Sequence, residues 1–287
     1  MADYADGYWW SNDGLRLHYR DYPGDDARPP ILCLPGLTRN ARDFAHVAER
    51  LAGGWRVICV DLRGRGESAY AKNPMSYTPL IYLQDIEALI AELRIDRFVL
   101  FGTSLGGILS MLIAASGRER IAGTLLNDVG PVLEPAGLAH IRTYVGKPAA
   151  FPTWLHAARA LKETNGSVFP HYDLDAWLRM ARRVCRLNQQ GRIIFDYDMK
   201  IAEPFRVPGG EAGFDMWPAL DALGGAPLTL LRGELSILLS AASADAMAQR
   251  LPALDHVTVA GVGHAPVLDE PESVEAIDRL LARVLAG

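Results

Sequence analysis

The chain has little of what would tie its fold to disulfides, metals or nucleic acid. Its 287 residues contain three cysteines, Cys33, Cys59 and Cys185, which are far apart and lack the spacing of metal ligands. We therefore expect neither a disulfide framework nor a metal site. The net charge is −5, and acidic and basic residues are mixed along the chain without a block of one sign. A nucleic acid is therefore not an expected partner.

Long apolar runs are also scarce. Residues 98–116 approach the roughly 20 residues of a transmembrane helix, but three glycines and several hydroxyl residues interrupt them. No membrane partner is expected. The amino-terminal residues 1–6 are acidic, with no positively charged segment leading into an apolar stretch, so no secretory signal is predicted. We expect a cytoplasmic protein of ordinary globular composition, 49% hydrophobic and 22% charged.

The most informative motif lies inside that interrupted run. Residues 102–106 read Gly-Thr-Ser-Leu-Gly, the Gly-x-Ser-x-Gly pattern of a nucleophilic serine. A strand-like segment (Phe98 to Phe101) precedes the motif and a helix-like segment (Ile108 to Ala115) follows it, as a nucleophile elbow requires. The turn would leave Ser104 at a helix N-terminus, where free N–H groups favour an anion. Ser104 is therefore the candidate nucleophile.

Apolar strand-like segments alternate with helix-like segments along most of the chain. The strand-like segments are residues 8–11, 15–19, 31–34, 56–60, 98–101, 123–127, 227–231 and 256–260. Such alternation predicts a mostly parallel sheet covered by helices on both faces. The alternation breaks near Glu134, after which the chain reads as helical and rich in aromatic residues. We predict an α/β core of residues 1–134 and 216–287, and a helical insertion of residues 135–215.

A serine hydroxyl needs a base to take its proton, and the candidate base is His264. His264 follows the last predicted strand in a glycine-flanked loop. In a parallel sheet that loop opens at the same carboxyl edge as Ser104, where open α/β sheets build their sites. The other histidines lack this position and are expected to have surface or packing roles: His18, His46, His140, His156, His171 and His256.

The oxyanion that forms when Ser104 attacks requires N–H donors that are already in position. One donor is expected from Leu105, the residue after the nucleophile. The loop after the first buried parallel strand, Leu34-Pro35-Gly36-Leu37, offers the second, and Leu37 is the candidate. A simple turn at Pro35-Gly36 is the alternative interpretation of that loop.

The order of these motifs resembles that of the α/β-hydrolase superfamily. The resemblance covers essentially the whole chain and rests on Leu34 to Thr38, Val60 to Ser68, Gly102 to Gly106 and Gly263-His264. It implies an α/β fold with an eight-stranded, mostly parallel sheet and a helical cap inserted after the sixth strand. That position for the cap agrees with the break near Glu134.

The acid that usually completes this arrangement is missing from its expected position. Members of the superfamily place an aspartate or glutamate after the seventh strand, to orient the histidine. Here that position falls on Ile237, which cannot accept a hydrogen bond. Three interpretations remain open: the chain is an engineered or weakened hydrolase; another carboxylate serves, with Asp128 after the sixth strand preferred over Glu234; or Ser236 or a water orients His264 weakly.

These residues predict a hydrolase of carboxylic esters that forms an acyl-enzyme on Ser104. No cofactor is expected, since side chains and backbone N–H groups supply everything that the reaction needs. A lactonase or a carbon–carbon bond hydrolase on the same scaffold is an alternative, and so is a ligand-binding pseudo-hydrolase. We expect a monomer or homodimer acting on a small-molecule ester with an apolar or aromatic part. That substrate is suggested by the bulky apolar residues of the cap: Tyr144, Phe151, Trp154, Phe169, Trp177, Met180, Phe195, Tyr197 and Phe205.

Overall fold

The computed structural model describes residues 3–206 and 215–287. Up to the predicted break, the helices and strands are β1 (Ala5–Trp10), β2 (Arg16–Tyr22), β3 (Ile31–Leu34), α1 (Ala45–Leu51), β4 (Val57–Asp61), α2 (Pro79–Glu92), β5 (Phe98–Thr103), α3 (Leu105–Gly117) and β6 (Ile121–Asn127). The predicted cap contains α4 (Pro135–Tyr144), β7 (Ala150–Phe151), α5 (Trp154–Asn165), α6 (Leu174–Val184), β8 (Cys185–Leu187) and β9 (Ile193–Phe195). The chain then forms α7 (Trp217–Asp221), β10 (Leu228–Gly233), α8 (Ala241–Arg250), β11 (Asp255–Val259) and α9 (Pro271–Ala286).

Eight strands form one sheet in the order β1-β2-β4-β3-β5-β6-β10-β11. The pairs β1–β2 and β2–β4 are antiparallel, and the remaining pairs are parallel. The predicted fold class is therefore confirmed. The parallel arrangement places the carboxyl ends of β3, β5, β6 and β10 at one edge, where the loops that follow them meet.

The central strands are buried on both faces, as their continuous apolar sequences predict. Every residue of β3, β4, β5 and β6 is buried. Side chains of β5 alternate between two apolar clusters: Phe98 and Leu100 pack on the side of α2 and α3, and Val99 and Phe101 pack on the side of α1 and α9. Burying both faces fixes the register of β5, because a shift of one residue would exchange the two sets of side chains.

The cap segment is not wholly helical, which corrects the prediction. Strands β7, β9 and β8 form a small antiparallel sheet, in that order. These strands have only two or three residues each, too few to give a readable alternation of apolar and polar residues. Residues 207–214 of the predicted cap lie outside the described residues, as do residues 1 and 2.

Several contacts join the described part of the cap to the core. The Arg42 guanidinium lies 2.6 Å from a carboxylate oxygen of Asp196, whose side chain is buried. The backbone N–H of Gly66 donates to the carbonyl oxygen of Asp196 at 3.2 Å, and the N–H of Asp198 donates to that of Gly64 at 2.7 Å. The chain that follows β9 is thus held against the turn after β4.

Within residues 3–206 and 215–287, the helices are all too short or too polar to cross a bilayer.

Candidate active site

Ser104 lies in a strained turn between β5 and α3. Its backbone has φ 53° and ψ −115°, a conformation that an L-residue adopts only when the surroundings impose it. Two glycines make the turn possible, because a Cβ on Gly102 would lie 2.5 Å from the carbonyl oxygen of Gly106, and one on Gly106 would lie 1.9 Å from that of Leu34. The predicted strand–turn–helix context is present, and Ser104 occupies the N-cap position of α3.

Ser104 and His264 come together although they are 160 residues apart. The Ser104 hydroxyl lies 2.8 Å from His264 Nε2, and His264 Nδ1 lies 2.7 Å from a carboxylate oxygen of Asp128. A carboxylate only accepts hydrogen bonds, so the proton of the neutral imidazole belongs on Nδ1 and leaves Nε2 free to accept from Ser104. A continuous chain of hydrogen bonds therefore joins the hydroxyl to the buried carboxylate.

Asp128 occupies a site built to hold a carboxylate. It is fully buried and follows β6, and its backbone N–H donates to the carbonyl oxygen of Leu231 in β10 at 2.8 Å. One carboxylate oxygen accepts from the N–H of Gly233 at 2.8 Å, and the other accepts from the Ser236 hydroxyl at 2.6 Å as well as from His264. Such hydrogen bonds compensate for the burial of the charge.

Ile237, where the sequence leads one to expect the acid, has no part in the chain of hydrogen bonds from Ser104 to Asp128. Ile237 is 47% exposed, and its neighbour Ser236 reaches Asp128 rather than orienting His264 directly. Glu234 also points elsewhere, because its carboxylate accepts from the backbone N–H of Gly261 at 2.8 Å. Of the carboxylates considered from the sequence, Asp128 is the one hydrogen-bonded to His264.

Both residues predicted to donate to the oxyanion lie in segments close to Ser104. Leu105 is the first residue of α3, so the hydrogen bonds of the helix do not use its N–H. The loop that contains Leu37 passes close to the nucleophile, because a Cβ on Gly36 would lie 3.7 Å from the Ser104 Cβ. Leu37 lines the same cavity as Ser104 and His264.

Two residues that the sequence analysis did not single out hold these loops in place. The buried Asn127 amide donates to the Thr103 hydroxyl at 3.0 Å and to the carbonyl oxygen of Pro266 at 2.8 Å, which joins the nucleophile strand to the histidine loop. The fully buried Arg65 guanidinium donates to the carbonyl oxygen of Leu37 at 2.9 Å. Asn127 could have been noticed as a polar residue that ends a buried apolar strand, beside Asp128.

A cavity of about 450 Å³ opens above Ser104 and His264. Of the bulky apolar residues that the sequence places in the cap, Phe169 and Trp177 are buried within the cap and core packing. Burial raises the pKa of Tyr144 and raises that of Tyr197 to about 12, so both phenols remain protonated hydrogen-bond donors near neutral pH. The predicted aromatic residues that line the cavity are Tyr144, Phe151, Phe195 and Tyr197.

The part of the chain that the structure describes brings together no group of three or more His, Cys, Asp or Glu side chains able to hold a metal ion. Its three cysteines are buried free thiols.

Comparisons with known proteins agree with this architecture. A model of the alpha/beta hydrolase family matches residues 31–277. A 3-hydroxybutyrate-oligomer hydrolase from Cupriavidus necator is 34% identical over 269 residues, which is 90% of each chain. An esterase from Mycobacterium tuberculosis is 27% identical over 72% of this chain and 67% of its own. The crystal structure of an alpha/beta hydrolase from Novosphingobium aromaticivorans has 60% sequence identity and a TM-score of 0.95, and covers 99% of both chains.

Proposed function

The chain belongs to the alpha/beta hydrolase family, and we propose that it hydrolyses carboxylic esters through an acyl-enzyme on Ser104. The observation that supports this most strongly is the hydrogen-bond chain from Ser104 through His264 to Asp128 at the floor of a cavity. The strained backbone of Ser104 supports it too, because such strain is concentrated at functional sites.

In the first half of the proposed reaction, Ser104 Oγ attacks the ester carbonyl carbon while His264 Nε2 takes the hydroxyl proton. Asp128 stabilises the imidazolium that results, and the N–H groups of Leu37 and Leu105 hold the oxyanion. When the tetrahedral intermediate collapses, the bond to the alcohol oxygen breaks. The alcohol leaves with the proton that His264 received.

In the second half, water attacks the acyl-Ser104 ester and His264 takes its proton. Collapse of the second tetrahedral intermediate releases the carboxylic acid and returns the proton to Ser104. Each residue thus returns to its starting state, and no redox step occurs. Hydrolysis of a lactone would follow the same steps, with the alcohol and the acid released as one molecule.

Two kinds of substrate are worth testing first. Nitrophenyl butanoate reports acylation directly, because its leaving group is coloured. Oligomers of 3-hydroxybutyrate are the second candidate, since the relative from Cupriavidus necator that matches 90% of this chain is a 3-hydroxybutyrate-oligomer hydrolase.

The test compares the wild-type protein with Ser104→Ala on nitrophenyl butanoate. We expect turnover by the wild type and a loss of about 10⁶-fold in kcat in the variant, because removal of the nucleophile from a serine triad costs about that much. Ser116→Ala is the matched control. Ser116 lies on the same helix, but its hydroxyl donates to the carbonyl oxygen of Ile113 and not to His264. A folded wild-type protein without turnover would instead favour the pseudo-hydrolase, and full activity in Ser104→Ala would overturn the assignment of the nucleophile.

A further inference from the structure

A second cavity, of about 140 Å³, adjoins the cavity that contains Ser104. We call it the side cavity; it lies between α4 and the loop that follows β10. Leu235, Ile237 and Leu238 line it from the loop. The rest of its lining comes from α4 and from the end of α5 and the segment that follows, including His140, Asn165, Ser167 and Val168. At about 30 Å³ for each water-sized group, the side cavity has room for roughly five such groups.

The side cavity meets the proposed reaction only at His264. That residue lines both cavities, whereas Ser104 and Leu37 line only the larger one. His264 gives its proton to the alcohol oxygen when the tetrahedral intermediate collapses, so the alcohol must leave from the histidine side. The side cavity is therefore positioned for the alcohol portion of an ester, and the larger cavity for the acyl portion.

The apolar lining of the side cavity at position 237 is possible because the acid of the triad comes from elsewhere. Because Asp128 reaches His264 from the end of β6, position 237 is free to hold an apolar side chain. Ile237 is 47% exposed and is one of the residues that line the side cavity. The loop is also fixed against α4, because a Cβ on Gly137 would lie 2.6 Å from the Leu238 Cα.

His140 adds to the wall of the side cavity without offering it a hydrogen bond. Its Nε2 is buried and makes no hydrogen bond with the protein, so a group in the side cavity cannot reach that atom. The ring packs edge-on against Tyr144 at 5.7 Å between centroids.

We propose that the side cavity binds the alcohol portion of the substrate, an aliphatic alcohol of about four to six non-hydrogen atoms. This inference rests on the proposed ester-hydrolase function. Ile237 is then a residue that determines specificity for the alcohol.

The test uses esters that share the butanoyl group and differ in the alcohol. Ile237→Trp narrows the side cavity and Ile237→Gly widens it. We expect Ile237→Trp to lower the ratio of kcat/KM for butyl butanoate to that for methyl butanoate by at least tenfold, because each methylene group in an apolar pocket changes kcat/KM by about 10- to 200-fold. Ile237→Gly should instead raise the ratio of kcat/KM for hexyl butanoate to that for methyl butanoate. Leu80→Trp, an exposed position in α2 outside both cavities, is the control.

The outcomes separate this inference from the function on which it rests. If hydrolysis of nitrophenyl butanoate depends on Ser104 but neither Ile237 variant changes selectivity for the alcohol, the assignment of the side cavity is wrong and the proposed function stands. If no ester is hydrolysed by the folded protein, both are wrong.

Discussion

At the scale of single residues, the main finding is that the carboxylate beside His264 comes from the end of β6 and not of β10. These two strands are neighbours and parallel, with Asn127 opposite Leu231 in the register. Asp128, which follows β6, and Gly233, the last residue of β10, therefore meet at the same edge of the sheet, and the N–H of Gly233 donates to the Asp128 carboxylate. Either strand end can deliver a carboxylate to the same imidazole nitrogen.

Asp128→Asn is expected to lower kcat by about 10⁴-fold with little change in KM, because an amide in that place favours the wrong tautomer of the histidine without altering the cavity. Steady-state kinetics with nitrophenyl butanoate would measure both constants. Retention of full activity would contradict the proposed role of Asp128.

Ile237→Asp is the complementary change. Since Asp128 already accepts the Nδ1 hydrogen bond of His264, we expect no gain in kcat with methyl butanoate, whose alcohol makes little use of the side cavity. A gain of several powers of ten would instead mean that His264 lacks an effective acid in the wild-type protein.

The sequence pointed to Ser104 and His264, which the structure places within hydrogen-bond distance, because local patterns mark both: a glycine-flanked serine between a strand and a helix, and a histidine after the last strand. It left the acid open because the choice between Asp128 and position 237 depends on which strands are adjacent, and no local pattern encodes that. The partner of Asp128, Ser236, was identified from the sequence only as a weak alternative to an acid.

At the scale of secondary structure elements, the buried His18 joins three strands of the sheet. It lies on β2, and its two ring nitrogens lie 2.7 Å from Asp61 on β4 and 2.9 Å from Asp6 on β1. Burial by itself would lower the pKa of His18, but the hydrogen bonds and charges of Asp61 and Asp6 outweigh it and raise the pKa above 6.5. Expected from the sequence to have a surface or packing role, His18 is a polar link within the sheet.

This shift predicts how stability depends on pH. Because the pKa is higher in the folded state than in the unfolded state, protonation of His18 stabilises the fold fully below about pH 6.5, and the stabilisation is lost as the pH rises through the folded-state pKa. His18→Gln keeps an amide that can donate to Asp61 but does not titrate. The wild type should therefore have a larger free energy of unfolding in urea than His18→Gln, and the difference should be greater at pH 6 than at pH 9.

The matched control for this prediction is His156→Gln, which removes an exposed histidine of α5. An advantage of the wild type over His18→Gln that stayed constant or grew from pH 6 to pH 9 would contradict the raised pKa of His18.

At the scale of the whole molecule, one arginine makes several of the contacts between the cap and the core. Besides its ion pair with Asp196, Arg42 donates to the carbonyl oxygens of Arg183 and Cys185, where α6 ends and β8 begins. Asn40, two residues earlier, donates to the carbonyl oxygen of Arg183 at 3.1 Å. These contacts satisfy carbonyl groups at the end of α6 that its own hydrogen bonds leave free.

Arg42→Ala should therefore loosen the cap before it affects the sheet. Removal of one partner of a buried ion pair costs about 3–5 kcal/mol, because the remaining charge is left buried without full compensation. Asp196 keeps Arg186 at 3.0 Å, so we expect a loss near the lower end of that range. Hydrogen exchange would measure it: opening free energies of α5 and α6 should fall by about 3 kcal/mol, while those of β5 and β6 change little.

The control for Arg42→Ala is Arg50→Ala, which removes an arginine of similar exposure that pairs with Asp278 on the surface. We expect it to change the opening free energies of α5 and α6 by less than about 1 kcal/mol. An equal fall in β5, β6 and the cap helices after Arg42→Ala would mean that cap and core open only together. In that case the cap could not open while the core stays folded. Substrate would then have to reach Ser104 without any opening of the cap. Local loosening of α5 and α6 would instead let the cap open while the sheet continues to hold Ser104, His264 and Asp128 together.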